Sequence, residues 1–235
     1  MTISKPLVCM PTYNEAENLR PILRAIHDEM PAIDVLVIDD DSPDGTGEIA
    51  DEIAEQEDYV HVLHRTEKAG LGPAYLAGFD WALARDYDGV VEMDADFSHQ
   101  PKYLPQMVDQ LGNYDVVIGS RYVAGGGTED WGALRKFISR GGGRYARAVL
   151  GFDIQDPTAG FVAWRREVLE AIDLQSVDSS GYVFQIEMKY RAYKAGFSIL
   201  EIPITFPDRL AGESKMSADI ALEALTQVWS LKFGV

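Results

Sequence analysis

Asp94 and Asp96 stand one residue apart, directly after the short, mostly apolar run 90–93. Because side chains at positions i and i+2 of an extended chain share a face, both carboxylates can reach one cation. Mg²⁺ and Mn²⁺ accept one or two protein carboxylates and leave their other positions to water and phosphate oxygens. The pair therefore indicates a site for a nucleotide diphosphate, although an Asp-x-Asp pair in an acidic chain is also typical of a solvated turn.

Polar or glycine-rich segments follow three other apolar runs, at 11–15, 39–42 and 70–72. Ligands of parallel sheets bind beyond the carboxyl ends of the strands, so these loops and the aspartate pair are expected to meet in one crevice. Asp40 can accept hydrogen bonds from a nucleobase there, while the segment 39–45 is also typical of a turn and helix cap. The chain lacks the dinucleotide glycine pattern and a Walker lysine, which argues against NAD binding and P-loop hydrolysis.

The elements that must position these side chains alternate along the sequence. Apolar runs, mostly β-branched, predict buried parallel strands at 7–10, 35–38, 59–63, 89–93 and 116–118. Segments of helical length lie between them, at 15–29, 45–57, 72–85 and 102–111, with Asn14 as a candidate N-cap and Pro101 near a helix start. This alternation predicts an α/β fold with a mainly parallel central sheet flanked by helices.

The alternation is looser beyond residue 119. Segments 182–194 and 218–232 predict helices, and 199–204 predicts a strand. Between residues 131 and 152 there is no Asp or Glu, and basic residues alternate with the apolar Leu134, Phe137, Ile138 and Tyr145. Such a pattern is typical of a helix in a membrane interface, although the glycine triplet 141–143 predicts a bend or break. No repeat or linker divides the chain, so we expect one domain.

Composition limits the partners. The 235 residues carry a formal net charge of −17, which argues against nucleic acid as a general partner. The exception is the basic stretch, which indicates either an anionic partner or a solvated helix face; its cations are Arg135, Lys136, Arg140, Arg144 and Arg147. The only cysteine, Cys9, lies in an apolar run and predicts a buried reduced thiol. No apolar run approaches the length of a membrane span and no signal-like N-terminus is seen, so we expect a cytoplasmic location.

Six motifs follow one another through nearly the whole chain: Pro-Thr-Tyr-Asn-Glu at 11–15, Val-Ile-Asp-Asp-Asp-Ser-Pro-Asp-Gly-Thr at 37–46, Met-Asp-Ala-Asp-Phe-Ser-His at 93–99, Gly-Ser-Arg-Tyr at 119–122, Ser-Arg-Gly at 139–141 and Gly-Glu-Ser-Lys at 212–215. In this order they resemble family 2 inverting glycosyltransferases of the GT-A fold. Within that family they resemble the dolichyl-phosphate (polyprenyl-phosphate) mannosyltransferases. The resemblance implies one catalytic domain over 1–235, with a nucleotide-binding half at 1–119. The half at 120–235 would bind the acceptor and carry an interfacial helix and the C-terminal helix.

The resemblance also implies site residues on the donor side. The nucleotide, GDP, would contact Pro11, Tyr13, Glu15, Ile38 and Asp40. Asp94 and Asp96 would hold Mg²⁺ or Mn²⁺ across the diphosphate, with Ala95 at the sugar nucleotide and Arg209 and Lys215 closing over the phosphates. Some relatives carry glutamine as a further metal ligand where this chain has Ser98, and the shorter serine leaves room for an intervening water.

On the acceptor side the resemblance implies that Arg121, Arg135 and Arg140 meet a lipid phosphate. Asp96, Arg121 and Arg135 are then the expected catalytic residues. A lipid monophosphate is already an anionic nucleophile, so in-line attack on GDP-mannose with inversion needs no protein base. If the acceptor were instead an alcohol, Glu187 would be the best candidate base, with an ion-paired or surface carboxylate as the alternative interpretation.

Other functions remain open at this stage. The donor could be UDP-glucose or another UDP-sugar, or the chain could be a non-catalytic subunit that binds sugar nucleotide or lipid phosphate. A metal-dependent phosphohydrolase using the run 39–41 is a further alternative. We expect the protein to lie peripherally on the cytoplasmic face of a membrane, held by the basic stretch, by the terminal helix or by a membrane-anchoring partner protein.

Overall fold

The computed structural model describes residues 2–179, 181–207 and 218–234. Its strands form one seven-stranded sheet, in the order β3-β2-β1-β4-β7-β5-β8, and one two-stranded sheet of β6 and β9. The antiparallel partners of the large sheet are β7 with β4 and β7 with β5; the remaining pairs are parallel. The strands are β1 (Pro6–Thr12), β2 (Asp34–Asp39), β3 (Val60–His64), β4 (Gly89–Glu92), β5 (Val116–Ser120), β6 (Gly127–Thr128), β7 (Val162–Arg165), β8 (Ile199–Pro203) and β9 (Thr205–Phe206).

The large sheet is buried on both faces, which explains the continuous apolar runs of its strands. In β1, Leu7 and Cys9 join one apolar cluster while Val8 and Met10 join the other, as the two-residue period of a strand requires. Cys9 is fully buried, and burial raises the pKa of its thiol, in agreement with the expected reduced cysteine. The predicted α/β class with a mainly parallel sheet is confirmed.

Helices cover both faces of the sheet. None of the helices in the described part of the chain is both long and apolar enough to cross a bilayer. Helix α1 begins one residue later than its predicted cap implies: Glu15 is the N-cap, and Asn14 has φ 61° and lies outside the helix, so the Asn14 prediction was wrong. The helices are α1 (Ala16–Glu29), α2 (Thr46–Ala54), α3 (Leu71–Leu83), α4 (Leu104–Gln110), α5 (Ala133–Leu150), α6 (Arg166–Ala171), α7 (Gly181–Lys194) and α8 (Ala218–Gly234).

Helix α5 runs without interruption through the glycine triplet, so the predicted bend or break was wrong. Each glycine costs about 1 kcal/mol of helix propensity, but packing of an apolar face supplies most helical stability in proteins. That face includes Ala146, Val149 and Leu150, all buried in the core. Gly143 also packs closely, because a β-carbon there would meet Pro157 at 3.4 Å.

Strand β7 and helix α6 were absent from the expectations. Strand β7 has only four residues, so its sequence is too short to show the alternation of apolar and polar side chains that marks a strand. It runs antiparallel between β4 and β5 and thereby joins the two halves of the sheet. This placement brings the segment just before β7, residues 156–161, to the site described next.

Candidate active site

The carboxyl ends of β2, β1 and β4 lie side by side, and hydrogen bonds tie the loop after β1 to the loop after β2. Thr12 pairs in register with Asp39, and its hydroxyl donates to the Asp39 carboxylate at 3.2 Å. The Ser42 hydroxyl donates to the same carboxylate at 2.6 Å and accepts from the Asn14 amide at 3.2 Å. The end of β1 and its loop, with Pro11, Tyr13 and Glu15, are therefore brought next to the end of β2 and its loop, with Ile38 and Asp40, as expected.

The entry to α1 uses side chains from the loop after β2 and from the start of α2. The Glu15 amide donates to the Thr46 hydroxyl at 2.9 Å, and the Ala16 amide donates to the Asp44 carboxylate at 3.1 Å. These bonds satisfy amide groups that a helix start otherwise leaves without a partner. Burial tends to raise the pKa of Asp44, but its hydrogen bonds outweigh burial and lower it.

Two cations after β3 that have no predicted role contact the predicted donor residues. Arg65 donates to the Asp40 carboxylate at 2.6 Å, and Asp40 is only 5% exposed. Burial nevertheless raises the pKa of Asp40, against the lowering effect of Arg65. The ammonium of Lys68 lies 3.4 Å from the ring centroid of Tyr13. Their sequence signal is their position directly after a predicted strand, at the ligand-binding edge of the sheet.

The aspartate pair occupies the loop after β4. Asp96 is 7% exposed and accepts the Ser98 amide at 3.0 Å, while Asp94 is more exposed and lies 3.4 Å from the Tyr75 hydroxyl. The Ser98 hydroxyl is buried and has no hydrogen-bond partner among the described residues. Two carboxylates and an unsatisfied hydroxyl form a set of hard oxygen donors that fits Mg²⁺ or Mn²⁺. The described residues contain no group of three or more His, Cys, Asp or Glu able to hold a metal.

His99 fixes the backbone of this loop. The Asp94 amide donates to His99 Nδ1 at 2.9 Å, which requires that this nitrogen carry no proton. The ring stacks on Phe161 with a centroid distance of 4.9 Å and meets Phe206 edge-on at 5.6 Å. His99 belongs to the motif 93–99 but was not assigned a role from the sequence.

A buried polar network lies beneath the loop. Glu92 is fully buried. Its carboxylate accepts one hydrogen bond from the Trp164 indole N–H at 2.6 Å and another from the Gln185 side chain. Lys189, also fully buried, donates to the Ala159 carbonyl at 2.6 Å and to the Gln185 side chain at 3.0 Å. Burial raises the pKa of Glu92 and lowers that of Lys189. The network connects the end of β4 with the segment before β7.

Arg121 is held by a buried carboxylate from that segment. Its Nε and Nη2 donate to the two oxygens of Asp156 at 2.7 and 2.6 Å, and Nη2 also donates to the Thr158 hydroxyl at 2.9 Å. Asp156 is fully buried; desolvation alone would raise its pKa, but the Arg121 charge and hydrogen bonds outweigh it and lower the pKa. The guanidinium that was predicted to meet the acceptor phosphate is therefore also a structural cation.

The three predicted acceptor arginines share one set of aromatic rings, which we call the aromatic cluster: Tyr122, Trp131 and Phe206. The Arg121 guanidinium lies 5.3 to 5.5 Å from all three ring centroids. Arg135 stacks over Trp131 at 3.8 Å, and Arg140 lies 5.5 Å from Tyr122. Phe206 also contacts His99, so the cluster reaches the aspartate loop.

A sequence model of the family described as Glycosyl transferase family 2 matches residues 7–173, most of the chain. This protein is a family 2 glycosyltransferase. The polyprenol monophosphomannose synthase of Mycolicibacterium smegmatis is 52% identical to it over 232 residues, covering 97% of this chain and 88% of that protein. The undecaprenyl-phosphate mannosyltransferase of Micrococcus luteus is 51% identical over 227 residues, covering 96% of this chain and 93% of that protein.

The family fold is also found in a solved structure. The mannosyltransferase PcManGT from Pyrobaculum calidifontis, determined in complex with GDP-Man and Mn²⁺, matches with a TM-score of 0.61 and 15% identity. The match covers 98% of this chain and 70% of that protein. The predicted GT-A fold and the resemblance to polyprenyl-phosphate mannosyltransferases are confirmed.

The remaining predicted site residues of this family 2 glycosyltransferase have mixed outcomes. Ala95 stands between the two aspartates in the sequence and is buried. Its contact with a sugar nucleotide stays a prediction. Arg209 and Lys215 lie outside the described residues. Glu187 is 2% exposed and is bound by Arg191 at 2.6 Å, so of its two interpretations the ion-paired carboxylate is the one observed.

Proposed function

We propose that this family 2 glycosyltransferase transfers mannose from GDP-mannose to dolichyl phosphate or another polyprenyl phosphate, with inversion at the sugar. The main support for this proposal is a continuous line of contacts from Asp94 through His99 and Phe206 to Arg121. It brings a site suited to a diphosphate next to a cluster of cations suited to a second phosphate. The names of the two relatives at 51 and 52% identity support the mannose product and the lipid phosphate acceptor.

On this proposal, each side chain has a defined task. Asp94 and Asp96 bind a divalent metal, Mg²⁺ or Mn²⁺, which supplies positive charge to the diphosphate of the leaving group. Tyr13, Asp40 and the loops joined to them bind the nucleotide. Arg135 and Arg140 attract the acceptor phosphate without changing protonation, because guanidinium groups stay charged at any working pH. Since the acceptor is already anionic, the reaction requires no general base.

We further propose that α5 rests on a membrane surface. Leu134 is 72% exposed and Phe137 76% exposed, and basic side chains alternate with them on the same helix. Each cation near an anionic leaflet contributes about 1 kcal/mol of attraction. Helix α8 packs next to α5, with Lys232 donating to the Val149 carbonyl at 2.6 Å, and exposes Phe233. Peripheral attachment on the cytoplasmic face, with or without an anchoring partner protein, is part of this proposal.

The deciding experiment measures transfer of radiolabelled sugar to a short polyprenyl phosphate, with GDP-mannose and UDP-glucose tested separately. Reactions contain Mg²⁺, Mn²⁺ or a chelator. We expect label in the lipid phase from GDP-mannose only, and none with the chelator. Label from UDP-glucose would keep the reaction class and change the donor. Donor hydrolysis without a lipid product would favour a phosphohydrolase, and binding without turnover would favour a non-catalytic subunit.

Replacing Glu187 with glutamine tests the absence of a general base. We expect the variant to keep about half or more of the wild-type kcat, whereas loss of a true general base costs about a hundredfold or more. Glutamine still accepts hydrogen bonds from Arg191 but loses the ion pair, so the free energy of unfolding should fall by about 1 to 3 kcal/mol. Transfer is measured well below the melting temperature. Activity that collapses at a temperature where the variant is still folded would point to an alcohol acceptor.

A further inference from the structure

Trp131 has a buried donor that the proposed function leaves unused. Its side chain is only 8% exposed, and its indole Nε1 has no hydrogen-bond partner among the described residues. Trp164, in contrast, is fully buried and donates its indole N–H to Glu92 at 2.6 Å. Buried N–H groups are nearly always paired, so an unpaired one beside a proposed binding site points to a partner that a ligand brings.

The surroundings of Trp131 specify the charge of that partner. Arg135 stacks on the ring at 3.8 Å, and the Arg121 guanidinium lies 5.5 Å from its centroid. Phe206 meets the ring edge-on at 5.6 Å. Two guanidinium groups around one neutral N–H donor favour an anionic oxygen as the acceptor. A hydrogen bond to an ionised acceptor is stronger than a hydrogen bond between two neutral groups. The bidentate oxygens of Asp156 are already used by Arg121.

We propose that Trp131 is a binding residue for the acceptor: its indole N–H donates to a phosphate oxygen of the polyprenyl phosphate. Its ring holds the Arg135 guanidinium by stacking, so that both donors reach the same phosphate. This assignment rests on the proposed function and adds to it a neutral donor beside the two guanidinium groups that favour the phosphate over the alcohol form of the lipid.

The first test replaces Trp131 with phenylalanine, which keeps an aromatic face for Arg135 and removes the N–H together with part of the ring. We expect the KM for farnesyl phosphate to rise about tenfold to a hundredfold, the range for loss of a hydrogen bond to a charged group. The KM for GDP-mannose should stay close to the wild-type value, and the melting temperature should fall by only a few degrees, because part of a buried ring is lost but no paired hydrogen bond is broken in the unbound protein. Trp81→Phe is the matched control. Trp81 stacks on Tyr87, which lies just before β4, whereas the aspartate loop lies just after β4. An unchanged KM for farnesyl phosphate in Trp131→Phe would overturn the assignment.

A second readout needs no turnover. In ¹⁵N-labelled protein the Trp131 indole resonance is assigned as the one that Trp131→Phe removes. We expect farnesyl phosphate to move it downfield and farnesol to leave it in place. A resonance that farnesyl phosphate does not move, or that only inorganic phosphate moves, would contradict a lipid-phosphate contact. Absence of mannosyl transfer by the unsubstituted protein would overturn the proposed function alone, because the indole titration reads binding directly.

Discussion

Replacing Asp96 with asparagine is expected to reduce mannosyl transfer by at least about a thousandfold, the effect of losing roughly 4 kcal/mol of charge stabilisation. Asparagine has nearly the same shape and keeps an oxygen that can accept the Ser98 amide, which now donates to Asp96 at 3.0 Å. The substitution therefore removes the charge that a divalent cation requires while keeping the loop bonded. Initial rates are measured over a range of Mn²⁺ and Mg²⁺ concentrations, with thermal unfolding followed in parallel.

Asp109→Asn is the matched control for this experiment. Asp109 is exposed on α4, so the same change of charge there should leave both the rate and the metal dependence unaltered. We expect Asp96→Asn to melt within a few degrees of the unsubstituted protein, because asparagine keeps an oxygen that accepts the Ser98 amide. Near-normal transfer by Asp96→Asn, with an unchanged metal requirement, would remove Asp96 from the metal site.

The sequence predicted the fold well where burial on both faces produces long apolar runs. The runs at 7–10 and 35–38 correspond to β1 and β2, neighbouring parallel strands of the large sheet. It failed where tertiary packing overrides local preference: the glycines of α5 do not break the helix, because its apolar face is held in the core. It also missed β7, whose antiparallel pairing depends on strands more than 40 residues away in sequence.

The site shows the same division. The placement of the aspartate loop and of the loops after β1 and β2 at one edge of the sheet could be predicted, because each follows a strand and parallel strands end at one edge. The partners of these residues could not be predicted. Asp156 reaches Arg121 across 35 positions, and Lys189 reaches Ala159 across 30. No local pattern encodes such a pairing, so the sequence assigned Arg121 to the acceptor phosphate and gave no sign of its structural bond.

That bond changes what an Arg121→Ala variant would report. Removing one member of a buried ion pair leaves the other charge uncompensated, so we expect the free energy of unfolding to fall by about 3 to 5 kcal/mol. For a chain of this size, that corresponds to a drop in melting temperature on the order of 10 °C. A loss of activity in this variant alone could come from the damaged loop before β7 as well as from a lost phosphate contact.

The double variant Arg121→Ala with Asp156→Asn separates the two contributions. Neutralising Asp156 removes the buried charge, so part of the lost stability should return, as a thermal or denaturant unfolding cycle can measure. If Arg121 also binds the acceptor, the KM for polyprenyl phosphate should stay high in the stabilised double variant while the KM for GDP-mannose recovers. Recovery of both KM values would show that Arg121 acts only through Asp156.

The pH dependence of unfolding gives an independent check on the same pair. Because the folded-state pKa of Asp156 is lowered, its ionised form contributes stability above the ordinary aspartate pKa, and this stability is lost as the pH falls through the folded-state value. The unsubstituted protein should therefore lose this contribution on acidification. In Arg121→Ala the guanidinium no longer opposes desolvation, so the pKa of Asp156 should rise above its ordinary value and protonation should relieve the buried charge. The stability deficit of Arg121→Ala relative to the unsubstituted protein is then expected to shrink as the pH falls. A deficit that is the same at neutral and acidic pH would mean that the bond contributes by packing and not by charge.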